Sequence, residues 1–148
     1  MSIHRNCRPF PVTVYVVPRV ISLGIGCRRG KAAEKIRQAA EKCLEEEQIF
    51  REAAANLASI DLKKEEEGIC LLAEEWNVPF LTYDAEMLLH TEGEFCGSFF
   101  VKSVTGVDNV CERSAVKASA DGRLIRKKTG EDGVTTALAI RDWRIRFE

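Results

Sequence analysis

The chain has 148 residues, 45% hydrophobic and 30% charged, with a formal net charge of −1. That length suits one domain with a core of its own, and the charge balance excludes a global electrostatic pull toward nucleic acid or an anionic membrane. Six cysteines without a CxxC pair, and only two histidines, His4 and His90, leave little from which to build a protein metal site.

The small net charge hides a segregation. Met1 to Arg37 holds eight Lys/Arg against one acid, whereas Gln38 to Cys96 holds 15 acids against four Lys/Arg. A basic face built from the ends of the chain, beside acidic helices that face water, accounts for both. No apolar run is long enough to span a bilayer, and the polar, proline-containing start lacks the apolar region of a signal peptide. Cys43, Cys70 and Cys111 lie in apolar helical stretches, where a thiol acts as a small hydrophobe. The expectation is a protein of the reducing cytoplasm.

In chain order, Val12–Val17 is a short β-rich run between Pro11 and Pro18, either a lead-in strand or a linker. Val20–Ile25 is nearly all apolar, as expected of a strand buried on both faces. Ala32, Ile36, Ala39, Ala40 and Cys43 then recur at helical spacing, and that helix runs to about Glu46. A second helical stretch is expected near Ile49–Asn56, and Leu57–Ile60 reads as the next strand. Asp61 stands at an expected helix start, with Ile69, Leu72, Ala73 and Trp76 as the apolar stripe and Asn77 and Pro79 as the stop. Phe80–Tyr83 is a third strand, and Asp84 caps a short helix through Leu89. A loop over His90–Gly97 and a short strand at Phe99–Val101 follow. Thr105 and Asp108 resemble a capping box for a helix bearing Val107, Val110, Cys111, Ser114 and Ala115. Arg123–Lys128 and Val134–Ile140 read as strands flanking a turn-rich loop, Thr129–Gly133. Trp143, Ile145 and Phe147 continue the alternation one residue out of phase, which suggests a bulge or break at Arg141–Asp142. Alternating strands and helices imply an α/β fold: three layers, α/β/α, with a mostly parallel sheet and a C-terminal antiparallel hairpin at one edge.

"GIGCRRG", Gly24–Gly30, sits where the first strand hands over to the first helix. In open parallel sheets ligands gather beyond the carboxyl ends of the strands. A helix N-terminus there favours an anion, and Arg28 and Arg29 can grip carboxylate or phosphate. Two familiar phosphate loops fail: GxGxxG needs glycine where Arg29 stands, and GxxxxGK[ST] needs glycine at Ile25 and Ser/Thr at Ala32. A turn that needs glycine for packing alone explains the same residues. Cys27, beside the arginines and a helix N-terminus, invites the expectation of a lowered thiol pKa, although no base stands near it in sequence. Asp61, after the second strand, is either an N-cap or a general base or polar anchor at the same sheet edge. Lys63 and Lys64 read as solvated, and Lys127 and Lys128 either extend the basic face or keep a strand edge soluble.

"PRVISLGIGCRRG" (Pro18–Gly30), "LASIDLKKEEEGI" (Leu57–Ile69), "VPFLTYDAEML" (Val78–Leu88), "TGVDNVCERSA" (Thr105–Ala115) and "VTTALAI" (Val134–Ile140) come in that order. Together they resemble the C-terminal domain of the CbiG family of cobalamin-biosynthesis proteins and its CobE-like relatives, over nearly the whole chain after Pro18. Asp108-Asn109 departs from that pattern, which often has Pro-Ser there. The resemblance implies a linker or lead-in strand over residues 1–18 and a CbiG C-terminal/CobE-like domain over 19–148. It implies a role in the anaerobic route to vitamin B12, where the full-length family acts on cobalt-precorrin-5A, opening a δ-lactone and releasing acetaldehyde. This chain is much shorter than a full CbiG. The substrate-binding candidates are Gly24, Gly26, Cys27, Arg28, Arg29, Gly30, Asp61 and Gly106. Asp61 is also the one catalytic candidate. No cofactor of its own is expected, cobalt arriving inside the tetrapyrrole. Expected partners are the cobalt-precorrin intermediate and either the CbiG N-terminal region or other enzymes of the pathway. Three readings stay open: catalysis of lactone hydrolysis and deacylation, a module that binds or carries the intermediate, and a docking domain for the N-terminal region.

Overall fold

β1, Ile21–Cys27, is the strand around which the other elements are arranged in the computed structural model, which describes residues 17–90 and 110–142. Its side chains alternate between two covered faces. Ile21, Leu23 and Ile25 join one core with Ile36, Ala40 and Cys43 of α1, Ala33–Glu46, and with Ile69, Leu72 and Trp76 of α2, Glu67–Trp76. Gly24 faces the opposite layer, where α4, Val110–Ala118, lies against the sheet. β2 (Ala54–Ile60), β3 (Phe80–Tyr83), α3 (Ala85–Leu89), β4 (Arg123–Glu131) and β5 (Val134–Ile140) complete the described elements.

The sheet has five strands in the order β3-β2-β1-β5-β4. β1 pairs parallel with β2, and β2 parallel with β3. β5 runs antiparallel to both β1 and β4, so it alone opposes the direction of the other four. The expected α/β/α layering and edge hairpin are both present, and the sheet is mixed. β5 is as buried as β1: Val134 and Leu138 enter the α1–α2 core, while Ala139 packs with Ala115 and Val116 on the α4 side.

Local signals account for most boundaries. Asp84 Oδ1 accepts the Met87 N–H at 2.7 Å, the expected cap of α3. Asn77 closes α2 in a left-handed conformation, φ 54°, and its N–H returns to the last carbonyls of the helix. Three expectations need correction. The stretch Ile49–Asn56 is not helical: it holds a single 3₁₀ turn, Arg51–Ala53, and β2 begins at Ala54. Its alanines carry no apolar period, and pairing decides: the Val20 N–H reaches the Ala53 carbonyl, and Ile21 pairs with Ala54. Asp61 starts a 3₁₀ turn, Asp61–Lys63, and α2 begins six residues later at Glu67. The hairpin loop is two residues wide, since Glu131 pairs with Val134. Asp132 (φ 52°) and Gly133 (φ 78°) are both left-handed, the Asp-Gly turn whose twist matches the strands it joins. Within the hairpin the irregularities of register lie in β4, at Leu124/Arg126 and Arg126/Thr129, and another separates Ile21 from Ser22 in the β1–β2 pairing. β5 ends at Ile140, and the Arg141 N–H bonds the Val20 carbonyl at 2.9 Å. The expected cap at Thr105 and Asp108, the loop after His90, the strand at Phe99–Val101, most of Val12–Val17 and the alternation from Trp143 lie outside the described residues.

Of the contacts that tie α4 to the sheet, two set its distance and its charge. A Cβ on Gly24 would stand 1.8 Å from the Cys111 carbonyl oxygen and 3.0 Å from Ala115 Cβ, so only glycine admits the helix at this distance. Glu112 is fully buried, and its carboxylate accepts the Lys128 N–H at 2.9 Å. Replacing Gly24 by alanine forces helix and strand apart and is expected to destabilise the fold by about 3 kcal/mol or more. Gly130 is the control, because a Cβ there meets only ordinary contacts at 3.7 and 4.0 Å. Urea unfolding of both variants checks this, and equal midpoints would contradict the packing account.

Candidate functional site

The carboxyl ends of β1, β2 and β3 open onto one edge, where α1, α2 and α3 begin. β1 extends further than its apolar run suggests, because Gly26 pairs with Thr135 and Cys27 with Val134. Gly24 and Gly26 therefore stand inside the strand, and the turn proper is Arg28–Ala32. A Cβ on Gly26 would come within 2.5 Å of Thr135 Oγ1, whose hydroxyl donates to the Gly26 carbonyl. Gly30 is the glycine that the turn itself requires: its φ is +76°, with open space where a Cβ would be.

The turn is pinned from α2. The Gly30 N–H donates to Glu66 Oε1 at 3.0 Å, and Glu66, at the N-cap of α2, is 9% exposed. Gly68 lets the two helix starts meet, since a Cβ there would lie 3.0 Å from the Lys31 carbonyl oxygen and 2.6 Å from Ile36 Cδ1. Glu66 was not singled out from sequence; its place in an acidic run, Glu65–Glu67, makes it look solvated.

Arg28, Arg29 and Lys31 stand around this pinned turn. Arg28 and Arg29 are exposed, and among the described residues neither pairs with a carboxylate. Lys31 Nζ lies 3.3 Å from where a Gly133 Cβ would be, over the hairpin turn. Ala32, the N-cap of α1, supplies no side-chain cap, so the first N–H groups of that helix are open to an acceptor. Asp61 is exposed at the end of β2, one strand away, its carbonyl closing the turn with the Lys64 N–H at 3.0 Å. The structure thus brings Cys27, Arg28, Arg29, Gly30 and Asp61 to one edge and keeps Gly24 and Gly26 in the strand beneath. Gly106 lies outside the described residues.

Cys27 corrects the sequence expectation. It is partly buried, and burial pushes its thiol above the ordinary cysteine value, more than the ammonium groups of Lys63 and Lys31 pull it down; Glu66 pushes it further up. The arginines do not lower it. Burial raises Cys111 in the same direction, to about 12. Among the described residues, no group of three or more His, Cys, Asp or Glu is placed to hold a metal ion, and no helix is long and apolar enough to cross a membrane.

A separate cleft of about 370 Å³ lies between α1 and the hairpin, lined by Ala39, Cys43, Arg126, Thr129, Val134 and Thr136 among others. Both cations on its lining, Lys42 and Arg126, are already used, and Lys42 lies 3.9 Å from Glu46. Arg126 bonds Glu46 at 2.6 Å and Glu47 at 3.0 Å, which satisfies most of a guanidinium that is only 13% exposed. That arrangement fastens α1 to the edge strand and leaves little charge for a ligand.

This architecture defines a class: an α/β domain that presents a glycine turn and unpaired arginines at the carboxyl ends of its parallel strands. The chain belongs to the cobalamin synthesis G C-terminal family, whose model matches residues 21–139. It is 33% identical over 141 residues to a cobalt-precorrin-5A hydrolase of Salmonella typhimurium, covering 95% of this chain and 40% of that protein. It is also 33% identical to the protein CobE of a Sinorhizobium species, over 79% of this chain and 77% of that one. The crystal structure of a CobE from the cobalamin (vitamin B12) biosynthetic pathway superposes with a TM-score of 0.75 at 32% identity, over 84% of this chain and 92% of that one. A cobalamin biosynthesis protein G homologue from Sulfolobus solfataricus gives 0.66 at 29% identity, over 84% of this chain and 38% of that one. The chain thus spans well under half the length of the hydrolase it matches.

The raised thiol has a measurable consequence, because the thiolate is the species that reacts. Pulse alkylation with iodoacetamide, followed by peptide mass spectrometry, should label Cys27 more slowly in the native protein than in urea at the same pH. The native rate should climb only as the pH rises past the range where the unfolded thiol already reacts. Faster labelling in the native state would restore the activated thiol.

Proposed function

We propose that this chain acts in cobalamin biosynthesis by binding a cobalt-precorrin intermediate through the carboxylates at its rim. One observation carries the reading: Arg28 and Arg29 stand exposed beside the Gly30 turn with no carboxylate partner among the described residues, at the strand edge where α/β folds place ligands. Precorrins are flat apolar macrocycles fringed with acetate and propionate groups, and guanidinium forks match carboxylates in both charge and shape. The open start of α1 adds backbone donors to the same place, while the Gly30 N–H is taken by Glu66. The hydrolase named among the relatives supplies the substrate class. The cleft beside Arg126 is too small and too internally neutralised to take such a macrocycle.

Binding is favoured over independent catalysis by the state of the nucleophile candidates. Cys27 is held toward the neutral thiol, and no histidine is placed against it among the described residues. A catalytic reading has one observation in its favour: Asp61 is an exposed carboxylate at the same edge, where it can activate water on a substrate held by the arginines. In that reading the chain contributes to opening the lactone and releasing acetaldehyde in the anaerobic pathway. Cobalt belongs to the substrate and needs no ligand from this chain.

Mixing the purified protein with cobalt-precorrin-5A tests both readings together. A shift of the tetrapyrrole absorption without acetaldehyde is the expected result. Replacing Arg28 and Arg29 together by alanine should weaken binding by about 10- to 100-fold, the scale of two charge-assisted contacts, and binding by the native protein should fall with salt. Unchanged affinity in the double variant would remove the carboxylate reading. Acetaldehyde at a catalytic rate, lost in Asp61→Asn, would move the assignment to catalysis.

A further inference from the structure

The binding edge has an apolar side that the charge argument does not use. Four large hydrophobic residues are notably exposed among the described residues: Leu62 (68%), Leu71 (46%), Met87 (44%) and Leu89 (47%). Three of them, Leu62, Met87 and Leu89, lie just after the carboxyl ends of β2 and β3. Leu62 is the most exposed of all, and it is not on a loose segment. It sits in the 3₁₀ turn Asp61–Lys63, which is closed by the Lys64 N–H on the Asp61 carbonyl at 3.0 Å and by the Glu66 N–H on the Lys63 carbonyl at 2.9 Å. The second of these bonds comes from the residue whose side chain pins Gly30, so one residue orders both the cationic turn and the turn that carries Leu62. α3 is anchored in turn by Leu88, which is fully buried against Ile60 and Val110 and leaves Leu89 outside.

Because β1, β2 and β3 are successive neighbours, the arginine turn, the Leu62 turn and α3 follow one another along the edge in that order. Neighbouring strands stand roughly 5 Å apart, so the row extends over about 10 Å, comparable to the width of a tetrapyrrole ring. A ligand that is charged at its rim and apolar on its face meets both parts of this row, whereas a small polar anion meets only the first.

Building on the carboxylate reading above, we propose that Leu62, together with Leu89 on the next element of the row, forms an apolar ledge. One face of the tetrapyrrole macrocycle lies on it while Arg28 and Arg29 hold rim carboxylates. The ledge makes the edge selective for flat, apolar-faced polycarboxylates over small polyanions of equal charge. It is a binding surface and takes no part in bond breaking.

The test uses uroporphyrin, a metal-free tetrapyrrole with acetate and propionate groups at its rim, and citrate as a small polycarboxylate competitor. Binding is followed by the porphyrin absorption band and by displacement. Leu62→Ser removes an exposed side chain, so folding is unaffected, and it should weaken uroporphyrin about tenfold, the scale of burying one leucine. Citrate competition should be unchanged, and Leu62→Phe should keep or tighten uroporphyrin binding. The Arg28→Ala/Arg29→Ala variant should weaken both ligands. If Leu62→Ser binds uroporphyrin as the native protein does while the double arginine variant loses it, the ledge is wrong and the carboxylate reading survives. If the arginine variant keeps full affinity for both ligands, or the native protein binds no uroporphyrin, the carboxylate reading fails and the ledge fails with it.

Discussion

The approach of α4 to β1 at Gly24 is the constraint on which the rest of the molecule depends. A helix backbone carbonyl lies where any other residue's Cβ would be. This contact closes the second face of β1, and it makes β1 a strand buried on both sides rather than the floor of a two-layer sheet. With α1 and α2 on the other face, the sheet has no lateral surface left for a ligand along β1. What remains accessible is its end, and there the chain places its glycine turn and arginines.

The charges follow the same division. Arg126 is largely buried and is neutralised by Glu46 and Glu47, which turns it into a bolt between α1 and the edge strand. Arg37 bonds Glu34 on its own helix and Glu75 on α2. Lys35 meets Asp132 in the hairpin turn. Arg28 and Arg29 are left out of these pairs. Among the described residues, a chain with nearly equal numbers of acids and bases thus leaves two arginines without a carboxylate partner at one edge, and Glu66 stabilises that edge by accepting a backbone N–H rather than by neutralising an arginine. The turn is thereby ordered by a contact that leaves both guanidinium groups out of it.

Most elements were legible in the residues. The apolar run before Gly26, the helical period from Ala32, the strand at Leu57–Ile60, the Asp84 cap and the Asn77 stop all express local rules, and each stands close to where those rules put it. The failures share a cause. The alanine-rich stretch at 53–55 has no period of its own, and its conformation comes from pairing with β1. Gly24 and Gly26 resemble loop glycines in sequence, but the partners that require them, Cys111 and Thr135, lie about a hundred residues away. The thiol of Cys27 took its shift from burial, which no neighbour in sequence announces.

By itself the sequence determined the α/β class, the order of the elements, the basic glycine turn and the family resemblance, because these rest on short-range periodicity, capping and residue type. Only the tertiary structure decided which glycines serve packing and which serves the turn, that Glu66 holds Gly30 across 36 residues, and that Arg126 is spent on Glu46 and Glu47 across 80 and 79. The physical reason is the same in each case. Burial, close approach and charge pairing depend on distances in space, and folding brings together residues whose separation along the chain carries no local signal.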